Sequence, residues 1–288
     1  MTRTPSFRRD EVTYSAKSPL RTPRAFLHSM INDLSSCWYI AWRLFLRDIQ
    51  VRYRQTALGY LWVFVPPLVT ASGLMLASEG GIINIAKTDI PYPVYVILSM
   101  TLWQIFTEAM NGPIQAIAEA KAMLGKINFP REALVIAKIG DVFFSLLIKI
   151  ILVVVVFAWF NIGVTWKVML APFAILALIL FGTLCGLIVA PLAALYQDVG
   201  KTVSILMTGW LLVTPVLYPF PKESTFAEIV RLNPVTPLVV TARELITTGS
   251  VSDPLSFLMV TGCSIIVLLV TWMIFRLAIP FIAERISG

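Results

Sequence analysis

Six apolar stretches, roughly 60–78, 91–110, 141–160, 169–195, 203–218 and 257–279, come close to the length that crosses a bilayer, and loops of uneven charge separate them. A hydrocarbon core about 30 Å thick needs about 20 helical residues, and only the fifth stretch is clearly short. Backbone polar groups in lipid must be satisfied internally, so six isolated strands are excluded and helices are expected. A hydrophobic content of 58% and a mean hydropathy of +0.82 leave too little polar surface for a soluble globule.

The 23 Lys and Arg residues orient the chain. Ten precede the first stretch, and four (Lys121, Lys126, Arg131, Lys138) lie between the second and third. With Lys201, Arg276 and Arg285 this side holds 17, against five on the other: Lys87, Lys167, Lys222, Arg231 and Arg243. The positive-inside rule puts both termini in the cytoplasm of a multi-pass protein. The net charge of +7 is then a topology signal and an attraction to lipid headgroups, and nucleic acid is not an expected partner.

The expected organisation has three parts. Residues 1–24, basic and rich in Pro, Ser and Thr without an apolar core, read as a disordered cytoplasmic tail and not as a signal peptide. Residues 25–56 hold an amphipathic helix and a linker, with Leu27, Met30, Ile31, Leu34, Trp38, Ala41, Leu44 and Phe45 at helical spacing. Trp38, Tyr39 and Trp42 suit the headgroup layer, so an interfacial helix is expected, with packing on protein as the alternative. Residues 57–288 form the six-span domain. The fold class is therefore an all-α integral membrane protein.

Enzyme chemistry finds little support. The single histidine, His28, lies in the interfacial region, and the three cysteines show neither CxxC nor zinc-ligand spacing. Gly200-Lys201-Thr202 matches the end of a Walker A loop, but Leu195 stands where that loop needs glycine. No catalytic residue and no metal site are expected.

Within the spans, Glu108 and Lys149 are the clear ionisable residues, and a charge at mid-membrane costs roughly 2.5–3.5 kcal/mol on insertion scales. Lys149 could snorkel to the headgroups, or the two could pair, because their helices run antiparallel. Thr101, Gln104, Glu108, Asn111 and Gln115 share one helix face, suited to interhelical hydrogen bonds or to a hydrated passage. On the outer side, two apolar pieces too short to span, 226–232 and 238–246, flank Asn233-Pro234 and read as re-entrant or interfacial helices between spans five and six.

Several segments carry a resemblance. RDIQVRYRQTALGYLW (47–62), LGKINFPR (124–131), LAALYQDVGK (192–201), TPVLYPF (214–220) and LNPVTPLVVTAREL (232–245) are similar, in order and spacing, to the permease subunits of type-2 ABC exporters of polysaccharides such as O-antigen, capsule and teichoic acid. That resemblance implies a homodimer in the bacterial inner membrane, docked on two ATP-binding subunits that use ATP and Mg, so that this chain binds no cofactor itself. It implies lipid-linked polysaccharide as substrate, O-antigen-like first, and gate helices in the 219–256 segment. A drug or small-lipid exporter is the alternative, and a membrane-embedded glycan-processing enzyme a more distant one.

Contacts to the ATPase are then expected at Tyr53, Arg54, Gln115, Glu119, Lys126, Phe129 and Arg131, with 112–124 forming a surface helix that starts at Pro113. Sugars present apolar C–H faces and hydroxyls, which suit aromatic and neutral polar walls. Tyr60, Trp62 and Phe64 in the first span, and Ser204, Thr208, Trp210, Thr214 and Tyr218 in the fifth, supply both kinds. Neighbours about 100° apart around a helix cannot all face one conduit.

Overall fold

The computed structural model describes residues 37–51, 59–81, 88–124, 132–196, 198–220 and 225–287. The expected tail at 1–24 and the first half of the interfacial region lie outside them. Helices alone make up the regular structure of the described residues: α1 (37–51), α2 (Val65–Glu79), α3 (Tyr92–Leu124), α4 (Glu132–Trp159), α5 (Ala171–Leu195), α6 (Asp198–Val213), α7 (Thr225–Leu232), α8 (Val235–Thr247) and α9 (Pro254–Ser287). Short 3₁₀ turns, Gly59–Val63 and Trp166–Leu170, lead into α2 and α5.

Three of these segments are long and apolar enough to cross a membrane on their own terms: Glu132–Trp159, Trp166–Leu195 and Pro254–Arg276. Helices α2 and α6 have 15 and 16 residues. At 1.5 Å per residue they reach only about 22–24 Å, short of a full hydrocarbon core. The fifth apolar stretch ends early as helix, because the chain turns at 214–218.

The centre of the fold is the contact between α3 and α5. Ala174, Leu178, Gly182, Gly186, Ala190 and Ala194, four residues apart along α5, are all buried. A Cβ on Gly182 would lie 2.8 Å from the Phe106 carbonyl oxygen, and one on Gly186 would fall on the Met110 carbonyl. The two glycines therefore let the helix backbones touch, the means by which membrane helices associate when lipid offers no hydrophobic drive.

This contact also corrects the expected surface helix. Residues 112–124 are not a separate helix starting at Pro113; they continue α3, with Pro113 in its interior. An interior proline costs about 3 kcal/mol through a lost hydrogen bond and a ring clash. Packing offsets that cost here: Pro113 meets α5 at Gly186, and Ile114, Ala116 and Ile117 are buried.

Helix α1 packs on α4 through Cys37, Ala41 and Phe45, and a Cβ on Gly140 would lie 3.1 Å from the Phe45 ring. Trp38, Tyr39 and Trp42, the rings expected at the headgroup layer, lie together on the exposed side of α1. On the packed side Ile40 and Leu44 join Cys37 and Ala41 against Ala133 of α4.

Candidate functional site

At the end of α6 the backbone leaves the helix at 214–218 and exposes carbonyls that must be satisfied, since irregular chain at membrane depth survives only where protein or a cavity receives it. Side chains from α3 and α8 meet that need. The Tyr92 hydroxyl donates to the Leu217 carbonyl at 2.8 Å. The Tyr95 hydroxyl donates to the Tyr218 carbonyl at 2.8 Å and lies 3.2 Å from that of Pro215.

Arg243 of α8, only 7% exposed, donates to the Pro215 carbonyl (2.9 Å) and the Ser99 hydroxyl (3.1 Å), and its guanidinium stands 4.2 Å from the centre of the Tyr95 ring. Asn233, between α7 and α8, accepts from Trp210 Nε1 (2.9 Å) and Val235 N (3.1 Å) and donates to Thr214 Oγ1 (2.9 Å). The end of α6 is thus tied to α3, to α8 and to the α7–α8 junction. Arg243, counted among the outer-side charges in sequence, serves the interior.

Deeper in, Lys149 Nζ donates to Glu108 Oε1 at 2.7 Å, with Lys149 only 1% exposed. The ammonium meets its counter-charge inside the fold, so snorkelling is not what positions it. Along the same α3–α4 seam, a polar pocket of about 370 Å³ is lined by Thr107, Glu108, Asn111, Gln115, Lys138 and Asp141 among others. Glu108, Asn111 and Gln115 are three members of the polar stripe read from sequence. Thr101 faces a separate apolar cleft and returns its hydroxyl to the Ile97 carbonyl.

Near the start of α4, Lys138 bridges Asp48 of α1 (2.9 Å) and Glu119 of α3 (3.0 Å). Burial pushes the Asp48 carboxyl up, but hydrogen bonds from Lys138 and Arg47 outweigh it and hold the carboxyl below its ordinary 3.8. A carboxyl lowered in the folded state adds stability that is fully present above its unfolded pKa and is lost as pH falls through its folded value. Protection of the 37–51 backbone against hydrogen exchange, taken relative to the intrinsic rate at each pH, is therefore expected to be full at pH 5 and to fall progressively as the pH drops below 3.8; protection that stays unchanged throughout that acid range would show that this bridge does not hold α1.

The residues proposed for a substrate path separate into two groups. Thr214 is fully buried and Trp210 packs edge-on against Phe106, so both belong to the tie at the end of α6. Tyr218 donates to the Leu212 carbonyl at 2.9 Å and packs near Phe226. Ser204 and Thr208 lie on the exposed face of α6, with hydroxyls turned back to the Gly200 and Ser204 carbonyls. Tyr60 and Trp62 are exposed ahead of α2, Tyr60 with its ring 5.7 Å from that of Phe144, and Phe64 is half-buried.

Of the residues expected to meet the ATPase, Gln115 and Glu119 are exposed toward the C-terminal end of α3. Tyr53, Arg54, Lys126, Phe129 and Arg131 lie outside the described residues. Among the described residues no group of three or more His, Cys, Asp or Glu is placed to hold a metal ion.

Comparison with known proteins places this arrangement. The ABC-2 type transporter family matches over residues 39–247. The chain is 26% identical over 248 residues to the O-antigen export system permease protein RfbA of Myxococcus xanthus, covering 83% of this chain and 92% of that one. It is 27% identical over 224 residues to the protein of the same name from Klebsiella pneumoniae (75% and 83% covered) and 23% identical over 229 residues to the polysialic acid transport protein KpsM of Escherichia coli (74% and 83% covered). With more than half of its length matched, from the exposed face of α1 to the end of α8, this chain belongs to the ABC-2 type transporter membrane family.

Proposed function

We propose that this chain is the membrane subunit of an ATP-driven exporter that carries a lipid-linked polysaccharide, O-antigen-like first, from the cytoplasm to the outer side of the bacterial inner membrane. The observation that carries the reading is the match to an O-antigen export permease along 92% of that protein's length. In this reading the chain spans the membrane six times, with α2, α3 and α6 completing the set, α1 lies at the inner interface, and both termini are cytoplasmic. Two copies assemble with two ATP-binding subunits, which use ATP and Mg.

The packing supports a conduit between copies. Only Pro67 and Ala71 of α2, and only Val203 and Met207 of α6, are buried within one chain. Ser204 and Thr208 on the open face of α6, and Tyr60, Trp62 and Phe64 in the turn that leads into α2, are the residues suited to sugar, while Gln115 and Glu119 present the inner end of α3 to the motor.

Deleting the gene and restoring it as wild type or as Trp62→Ala tests the reading. The deletion is expected to remove surface glycan and to leave undecaprenyl-linked glycan inside; wild type restores the surface, and Trp62→Ala does so at least about tenfold less well, a change equivalent to about 1.4 kcal/mol. Unchanged surface glycan in the deletion strain would reject the substrate and favour a drug or small-lipid exporter.

A further inference from the structure

The exposed side of α1 carries two parallel rows. Trp38, Trp42 and Leu46 follow at four-residue spacing, and Tyr39, Arg43 and Arg47 repeat that spacing one position on, so an apolar row runs beside a cationic one. The opposite side packs on α4 through Cys37 and Ala41. One face therefore meets protein, and the aromatic and basic flanks stay open, the division expected of a helix that lies in the plane of a bilayer surface.

The level of α1 along the fold fits that surface. Its Phe45 ring packs at Gly140 of α4, and from Gly140 to Trp159 that helix rises about 28 Å, close to a hydrocarbon core of about 30 Å. Trp159 and Trp166, on either side of the α4–α5 connection, stand exposed at the far end. Open aromatic rings thus mark both boundaries of the apolar layer.

The charges choose the lipid. Arg47 pairs with Asp48, whose second oxygen is held by Lys138, and Lys138 also takes Glu119, so these four charges cancel. Arg43 is left over, for among the described residues it meets no carboxylate and only the Tyr39 side chain. Its Nε and Nη2 donate to the Tyr39 hydroxyl at 3.1 and 2.8 Å, and the guanidinium stands 5.3 Å from the centre of that ring. A guanidinium carries five N–H donors, so three remain for an anion on a group already held in place, and phosphate oxygens suit them. Residues 1–54 hold ten Lys and Arg against four Asp and Glu, which adds to the attraction for negative charge. We propose that Arg43, steadied by Tyr39 and flanked by Trp38 and Trp42, binds the phosphate of an anionic phospholipid in the inner leaflet. The proposal rests on the placement of α1 at the inner interface and adds a choice of lipid: a head of net negative charge over a zwitterionic one, whose ammonium offsets its phosphate.

The test follows backbone hydrogen exchange over 37–51 in the purified full chain, with α9 as internal reference. Three settings are compared: detergent, phosphatidylcholine nanodiscs, and nanodiscs in which part of that lipid is replaced by phosphatidylglycerol with the same acyl chains. Phosphatidylcholine is expected to slow exchange relative to detergent, and phosphatidylglycerol to slow it by a further factor of about five, as bound lipid opposes opening of the helix. Arg43→Gln should remove that further slowing. Lys167→Gln, which takes the same charge from the exposed turn before α5, should keep it. No further slowing with phosphatidylglycerol, slowing that survives Arg43→Gln, or slowing lost equally in Lys167→Gln would each overturn the proposal. Equal exchange in detergent and phosphatidylcholine would remove the placement of α1 as well, whereas a response to phosphatidylcholine alone would keep the placement and reject the lipid. Exchange that ignores lipid charge and slows only when the ATP-binding subunits are added would assign this face to protein instead. Surface glycan reads export separately, so the two proposals can fail independently.

Discussion

Replacing Gly186 with valine is expected to prevent the chain from accumulating in a folded form. A Cβ at this position would fall on the Met110 carbonyl, with the Met110 carbonyl carbon and Pro113 Cδ each 3.1 Å away. Overpacking usually costs about 1–3 kcal/mol because side chains can shift. Here the obstacle is mostly backbone, and the same helices are pinned one turn away at Gly182, where a Cβ would lie 2.9 Å from that of Ala109. Relief would require α3 and α5 to separate, opening the centre of the buried core. Gly262 of α9 is the matched control: a Cβ there meets nothing within 4 Å, and alanine should add about 1 kcal/mol of helix propensity. Thermal unfolding in detergent checks both, with Gly186→Val giving little or no monodisperse protein and Gly262→Ala melting slightly higher than wild type. A Gly186→Val protein with wild-type melting would mean that the two helices do not touch in this way.

The distribution of legible and illegible features follows from which forces act locally. Apolar runs with helical period report burial in lipid or core, and they placed α5 closely and found α4 and α9, which begin well before and end well after the expected spans at 141 and 279. The same signal misplaced the end of α6, because 214–218 is apolar like a span yet is held in a turn by Tyr92, Tyr95 and Arg243, all distant in sequence. Pro113 read as a helix start, since local rules favour proline there, and only packing on Gly186 keeps it in a helix interior. Arg243 was readable in part: a cation inside PLVVTAREL is unusual, but sequence cannot tell a buried guanidinium from a loop charge. The Gly182–Gly186 spacing was legible in principle and would have marked the α3–α5 contact. Glu108 and Lys149 stood out as charges within apolar runs, but snorkelling and pairing were both open from sequence, and only the packing of α3 on α4 decides for the pair.

That pair supplies the second large effect. Lys149→Ala is expected to destabilise the chain by an amount near the lower end of the about 3–5 kcal/mol that accompanies loss of one partner of a buried ion pair, since Glu108 keeps part of its surface open. Reversing the charges, Glu108→Lys with Lys149→Glu, should recover at least half of the loss suffered by either single reversal, because the partners remain within reach across α3 and α4. The neutral pair Glu108→Gln with Lys149→Met should fold nearly as well as wild type, as buried ion pairs replaced by neutral groups of similar volume commonly do. Melting temperature in detergent separates these results. A swap no better than its parents would mean that the 2.7 Å contact is incidental to stability. Surface glycan carries the argument from fold to function: if the neutral pair folds normally yet exports poorly, the charges act in moving α3 against α4 during transport, and if it exports normally, their task ends with holding the two helices together.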